Sequence, residues 1–172
     1  MSIIEILAVL FSVLYVVLAT KENAWCWLCA AISVKLYIYI CYSAQLYPET
    51  GLQIFYLFMA AYGYAQWKKP KKDISLKQWH LKTHGFILLI GGVCSFLLGY
   101  YFDTQTDAAM PYLDSTTTIF SIITTYMVTK KIVENWLYWI VIDLLSIYLY
   151  YSRELTLSAG LFALYTIIAI FG

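Results

Sequence analysis

Seven apolar stretches, near 3–20, 25–43, 47–66, 85–102, 109–128, 134–151 and 155–171, take up most of this 172-residue chain. Each meets or approaches the roughly 20 residues that a helix needs to cross a ~30 Å hydrocarbon layer. In that medium every backbone N–H and C=O must be paired within its own segment, so the chain is predicted to be an all-α membrane protein. Its charged share of 12% is half the roughly 25% usual in soluble domains. Glu5 stands where a cleaved leader would carry basic residues, and the first run is long enough to span, so no targeting segment is expected.

The lysines set the expected orientation. Lys68, Lys69, Lys71, Lys72, Lys77 and Lys82 follow the third span, Lys21 the first, and Lys130 and Lys131 the fifth. These loops share one side and hold nine of the eleven basic residues, which makes that side cytoplasmic. Glu49, Asp103, Asp107 and the Arg153/Glu154 pair mark the other side. The amino terminus is then outside and the carboxyl terminus inside.

An internal repeat is visible when the second and third spans are laid over the sixth and seventh. Glu22-Asn23-Ala24-Trp25-Cys26-Trp27 echoes Glu134-Asn135-Trp136-Leu137-Tyr138-Trp139. Leu36-Tyr37-Ile38-Tyr39 echoes Ile147-Tyr148-Leu149-Tyr150, and after a two-residue slip Tyr42-Ser43 and Gly51-Leu52 match Tyr151-Ser152 and Gly160-Leu161. The economical description is two parallel three-helix bundles joined by a linker helix, a 3+1+3 layout. The expected units are 1–67, a basic loop with linker helix over 68–106, and 107–172. Transporters commonly hold substrate between such repeats near the midplane.

The sixth span carries the densest chemistry. At helical spacing Asn135, Trp139, Asp143, Ser146 and Tyr150 fall on one face. Ionisable groups in a span are costly, so this face should point to a bundle interior or a wet cavity. Together with Glu134 and Trp136, it suits a flat cationic or hydrogen-bonding small molecule, with cation–π contacts from the indoles. Gln53 and Tyr56 on the third span should point inward for the same reason. The fifth span sets Asp114, Thr117, Thr118, Ser121 and Thr125 along one stripe, as substrate contacts or as interhelical glue. Asp114, close to the outer end, would sit in a solvated vestibule or serve a gate. Lys35, near the middle of the second span, is expected to pair with Asp143 or else Asp114. Trp25, Trp27, Trp136 and Trp139 take equivalent bundle positions, Trp25 as an interfacial anchor and Trp27 among the substrate contacts.

Other features have plainer explanations. Cys26, Cys29, Cys41 and Cys94 lie in apolar runs and read as small buried hydrophobes rather than a redox or metal motif. His80 and His84 lack a third ligand and read as solvated loop histidines, so no metal or other cofactor is expected. The basic loop is a topology determinant, not a nucleic-acid patch.

The Glu134-Asn135-Trp136-x-x-Trp139 run, Asp143, the Gln53-x-x-Tyr56 pair, Tyr62-Gly63-Tyr64-x-x-Trp67 and the 3+1+3 layout resemble the PnuC-type vitamin transporters, the nicotinamide riboside transporter family. The resemblance covers essentially the whole chain. It implies a SWEET-like fold in the bacterial inner membrane, facilitated diffusion, and trapping of the vitamin inside by phosphorylation. Riboside carriers of this family have Trp-Gln-Trp-x-x-Trp where this chain has Glu134-Asn135-Trp136-x-x-Trp139, and the Glu-Asn version resembles the thiamine branch. Thiamine uptake is therefore the leading expectation, with nicotinamide riboside next and riboflavin third. Lys35 departs from the family's expected second span. A membrane enzyme using Glu134 or Asp143 as general base is the competing class, and no nucleophile–base pair or metal set supports it. Homo-oligomerisation stays open.

Overall fold

The computed structural model describes residues 3–21, 23–67, 77–130 and 132–171. Glu22, Lys68, Lys69, Lys71, Lys72, Lys131 and the Trp67 side chain, all named above, lie outside the described residues. The described residues form seven α-helices: α1 Ile3–Thr20, α2 Cys26–Ser43, α3 Tyr47–Trp67, α4 Leu81–Gln105, α5 Pro111–Thr129, α6 Asn135–Ser152 and α7 Thr156–Phe171. Boundaries agree with the hydropathy pattern within two or three residues, except that α4 begins four residues early and takes in His84.

The helices pack as a closed circuit, α1 to α2 to α3, then α5 to α6 to α7 and back to α1. Helix α4 stands outside it against α5. Its buried residues are Gly91, Ser95 and Gly99, one small side chain per turn. A Cβ at Gly99 would fall 2.7 Å from the Tyr112 ring and 3.0 Å from its Cα, so the close approach of α4 to α5 depends on that glycine. On the other side of the circuit, a Cβ at Gly63 would lie 2.4 Å from the Trp27 ring. The Tyr62-Gly63-Tyr64 motif thus makes room for an indole held between α1, α2 and α3.

The repeat has a simpler register than the sequence suggests. Cys26 matches Asn135 and Ser43 matches Ser152, so α2 and α6 share a constant offset of 109 residues. Trp25 and Glu134 are matching N-cap positions with nearly the same backbone angles. The Glu-Asn echo was therefore three residues out of register, and the slip disappears. Both helices leave through a three-residue connection with a left-handed residue at its centre, Gln45 (φ 61°) and Glu154 (φ 62°). In each, the following N–H reaches back five residues, Leu46 to the Cys41 carbonyl and Leu155 to the Tyr150 carbonyl. Of the tryptophans, Trp27 and Trp136 match, whereas Trp139 matches Ala30. The expected equivalence of all four fails because composition alone fixed that alignment.

Equivalent residues touch each other where the two halves meet. Cys41 Sγ lies 3.2 Å from the Tyr150 hydroxyl, and Arg153 Nε donates to the Ala44 carbonyl at 2.9 Å. Such self-contacts lie on the pseudo-twofold axis that relates the halves. At that end Gln45 joins three loops. Its amide donates to Asp107 at 2.6 Å, its Oε1 accepts from Arg153 at 3.3 Å, and its carbonyl accepts the Ala109 N–H at 2.9 Å.

Candidate functional site

Helix α6 turns its polar face into the circuit, as its spacing predicts. Asn135, Asp143, Ser146 and Tyr150 are buried, and Trp139 is half-buried. The Asn135 amide donates to the Ile132 carbonyl at 2.6 Å, which orients the side chain at the start of the helix. Asp143 is 3% exposed. It forms no hydrogen bond or ion pair among the described residues, and the Tyr56 and Tyr165 hydroxyls lie within its electrostatic range. Facing it from α3, Tyr56 lies against Ser121 and Thr125 of α5. Gln53 and Thr118 are buried on the same interior. The structure thus sets Gln53, Tyr56, Thr118, Ser121, Asn135, Trp139 and Asp143 on the inward sides of α3, α5 and α6, spread along the depth of the circuit.

Above this chamber, towards the three loops joined by Gln45, a second polar layer ties the halves together. Glu49 accepts from the Gln53 amide at 3.0 Å and from the Tyr150 hydroxyl at 3.2 Å. Asp114 is fully buried, its carboxyl facing the Glu49 backbone N–H in the first turn of α3. The solvated vestibule expected for Asp114 is replaced by a capping role, because α3 starts directly beside it. Thr118 donates to Asp114 at 3.5 Å. Glu5 closes the circuit from the other side, accepting from the Ser158 N–H at 3.2 Å and its hydroxyl at 3.1 Å, while Tyr37 donates to Ser158 at 3.2 Å. Tyr150 belongs to this layer rather than to the chamber, packed edge-on to Tyr37 and against Phe162.

Glu49, expected only as a charge marking the outer side, and Glu5, expected only as a sign against a cleaved leader, thus both belong to the buried polar layer. The signal was present. Glu49, Gln53, Tyr56 and Ala60 step by four, three and four along one helical face.

Six expectations are displaced. Lys35 is exposed on the outer face of α2 and makes no ion pair among the described residues. It lies two residues from Ser33 and Tyr37, which point inward, so helical geometry sends it the opposite way and away from Asp143 and Asp114. Glu134 lines a groove between α4, α5 and α6 together with Trp79, His84 and Tyr138, whose hydroxyl is within reach of its charge. Trp136, at 37% exposure, turns outward, and Trp27 packs against Tyr15 inside the first bundle. His84 is no loop residue, since it lies in α4 with Nδ1 2.9 Å from the Tyr138 hydroxyl. Cys94 is likewise exposed rather than buried.

A closed circuit of apolar helices with a buried, polar and aromatic interior is the architecture of a multi-pass membrane protein. The profile of the nicotinamide mononucleotide transporter family matches residues 2–172, and the chain belongs to that family. It is 27% identical over 157 residues to the nicotinamide riboside transporter PnuC of Neisseria mucosa, covering 83% of this chain and 57% of that protein. It is 25% identical over 201 residues to PnuC of Escherichia coli, covering 100% of this chain and 84% of the relative. A crystal structure of the vitamin B3 transporter PnuC superposes with a TM-score of 0.73 at 22% identity, over 96% of this chain and 78% of that one. That similarity establishes the shared fold.

Proposed function

We propose that this protein carries nicotinamide riboside across the membrane by alternating access, without covalent chemistry. The observation that carries this reading is Asp143, a buried carboxylate with no cation beside it, on a face shared with Trp139, Asn135 and, across the chamber, Gln53 and Tyr56. A pyridinium placed there supplies the missing positive charge, and its carboxamide and ribose find hydrogen-bonding groups on the same interior, among them Gln53 and Ser121. The PnuC relatives, named for this riboside, lend independent support. The moving parts are residues 1–67 and 107–172, with 68–106 as tether. The lysine-rich end faces the cytoplasm, so that a kinase there traps the vitamin.

Thiamine is the second reading, favoured by the Glu134-Asn135 pair. Its aminopyrimidine would need the Glu134 carboxylate on the chamber side, and that carboxylate lies between α4 and α6. Calorimetric titration of the purified protein with nicotinamide riboside, thiamine and riboflavin separates the readings. Binding of the riboside with weak thiamine binding is the expected result. The reverse order would assign the thiamine branch, and binding of none of the three would overturn the vitamin assignment. Counterflow in proteoliposomes lacking any kinase then distinguishes transport from conversion.

A further inference from the structure

Between α4, α5 and α6 lies a groove of about 610 Å³ outside the helix circuit. Its walls are apolar, with Leu88 from α4, Phe120 from α5, and Val141 and Leu145 from α6. One end is different. There Glu134 meets Trp79, His84 and Tyr138, and Glu134 Oε2 is buried with no hydrogen-bond partner among the described residues. His84 Nδ1 is engaged by the Tyr138 hydroxyl, its ring lies 6.0 Å from Trp79 and 5.7 Å from Tyr138, and Nε2 is also buried without a partner. An unpaired carboxylate oxygen in apolar surroundings is costly unless a cation completes it. Aromatic faces around it favour the same charge.

The dimensions narrow the occupant further. From Glu134 to Leu145 the groove follows α6 for about 16 Å at 1.5 Å per residue. That is the depth of one leaflet of a ~30 Å hydrocarbon core. The polar end sits where the chain keeps Lys77, whose carbonyl accepts the Val133 N–H at 3.0 Å beside Glu134, and Lys82 at the start of α4. Groove and headgroup region are therefore at matching heights. Inside the groove a carboxylate, outside it lysines: this order of charges complements an ammonium joined to a phosphate.

The geometry points to a structural lipid site: the groove holds one acyl chain of an amine-headed phospholipid, with the ammonium against Glu134 and the aromatic rings and the phosphate towards the lysines. A riboside or a thiamine lacks the apolar tail that the walls require.

The test is lipid retention by the full chain, purified from vesicles of equal phosphatidylethanolamine and phosphatidylglycerol and read by native mass spectrometry. The wild type should retain the amine lipid with about a ten-fold preference, as one charge-assisted contact provides. Glu134→Gln should erase that preference, and Val141→Trp, which fills the trough, should erase retention of both lipids. Riboside titration of Val141→Trp checks that the variant is folded and keeps the vitamin chamber, so failure here is separable from failure of the transport reading. Equal retention of both lipids, or an unchanged preference in Glu134→Gln, would overturn the proposal. So would a Glu134→Gln protein that loses vitamin binding and keeps its lipid, or a groove that proves to be covered by a second copy with no lipid retained.

Discussion

Helices α2 and α6 share length, start and left-handed exit, yet they bury different chemistry. At the 109-residue offset, Asn135, Trp139 and Asp143 of α6 stand opposite Cys26, Ala30 and Val34 of α2. The backbone repeat is symmetric and the ligand-facing groups are not. Two similar halves therefore supply the frame, while the buried carboxylate and indole that the proposed function uses belong to the second. A symmetric site would have to offer a second carboxylate at position 34, and two acids around one monocation would leave a charge unpaired.

Exchanging residues between the equivalent positions breaks or sharpens this contrast. Tyr150→Cys, which puts the α2 residue on both sides of the axis, should cost about 3–5 kcal/mol as a cavity opens at the contact with Cys41 and Phe162. Thermal unfolding in detergent measures it, and an unchanged midpoint would remove Tyr150 from the frame. Asp143→Val should leave folding intact and weaken riboside binding by about 30-fold or more, the loss expected when a buried charge pair is broken. Trp139→Ala should weaken binding by about three- to thirty-fold, matching a cation–π contribution of ~0.5–2 kcal/mol. Normal binding by a folded Trp139→Ala protein would show that this face of α6 does not meet the substrate.

Smaller effects are expected away from that face. Asp107 is held below the usual carboxylate range by the Tyr47 hydroxyl and then the Gln45 amide. A group so depressed contributes fully above its unfolded value of about 3.9 and loses that contribution as pH falls through the lower folded value. Asp107→Asn should flatten a slight loss of thermal stability in this acid range. Smallest of all, Lys35→Leu, which copies Leu144 of α6, should shift stability by no more than about 0.5 kcal/mol and leave riboside binding unchanged. A large loss would restore the buried ion pair.

The seven helices, the inward face of α6 and the stripe on α5 were legible because each rests on local periodicity and on the cost of polar groups in lipid. The direction of Lys35 was legible too, since Ser33 and Tyr37 already defined the opposite face, but its depth was weighed above its angle. Glu49 and Asp114 could not be paired from the chain alone. Their meeting depends on α3 packing against α5, a contact between distant segments. Glu134 sits at a helix start, where a shift of one position rotates the side chain by about 100°, so adjacency to Asn135 did not imply a shared target. The seam of Gly91, Ser95 and Gly99 is plain in the sequence once α4 is known to pack chiefly against α5.

That isolation of α4 bears on how the chain enters the bilayer. Helices α1, α2 and α4 are each 18 residues or longer and predominantly apolar, enough to enter the bilayer early. Helices α3, α5 and α6 carry carboxylates that become tolerable only once a neighbour is present. During synthesis α4 can settle early and hold the nascent chain across the membrane while α5 emerges. The carboxylate-bearing α5 and α6 behind it can then integrate together, each shielding the other's acid from lipid.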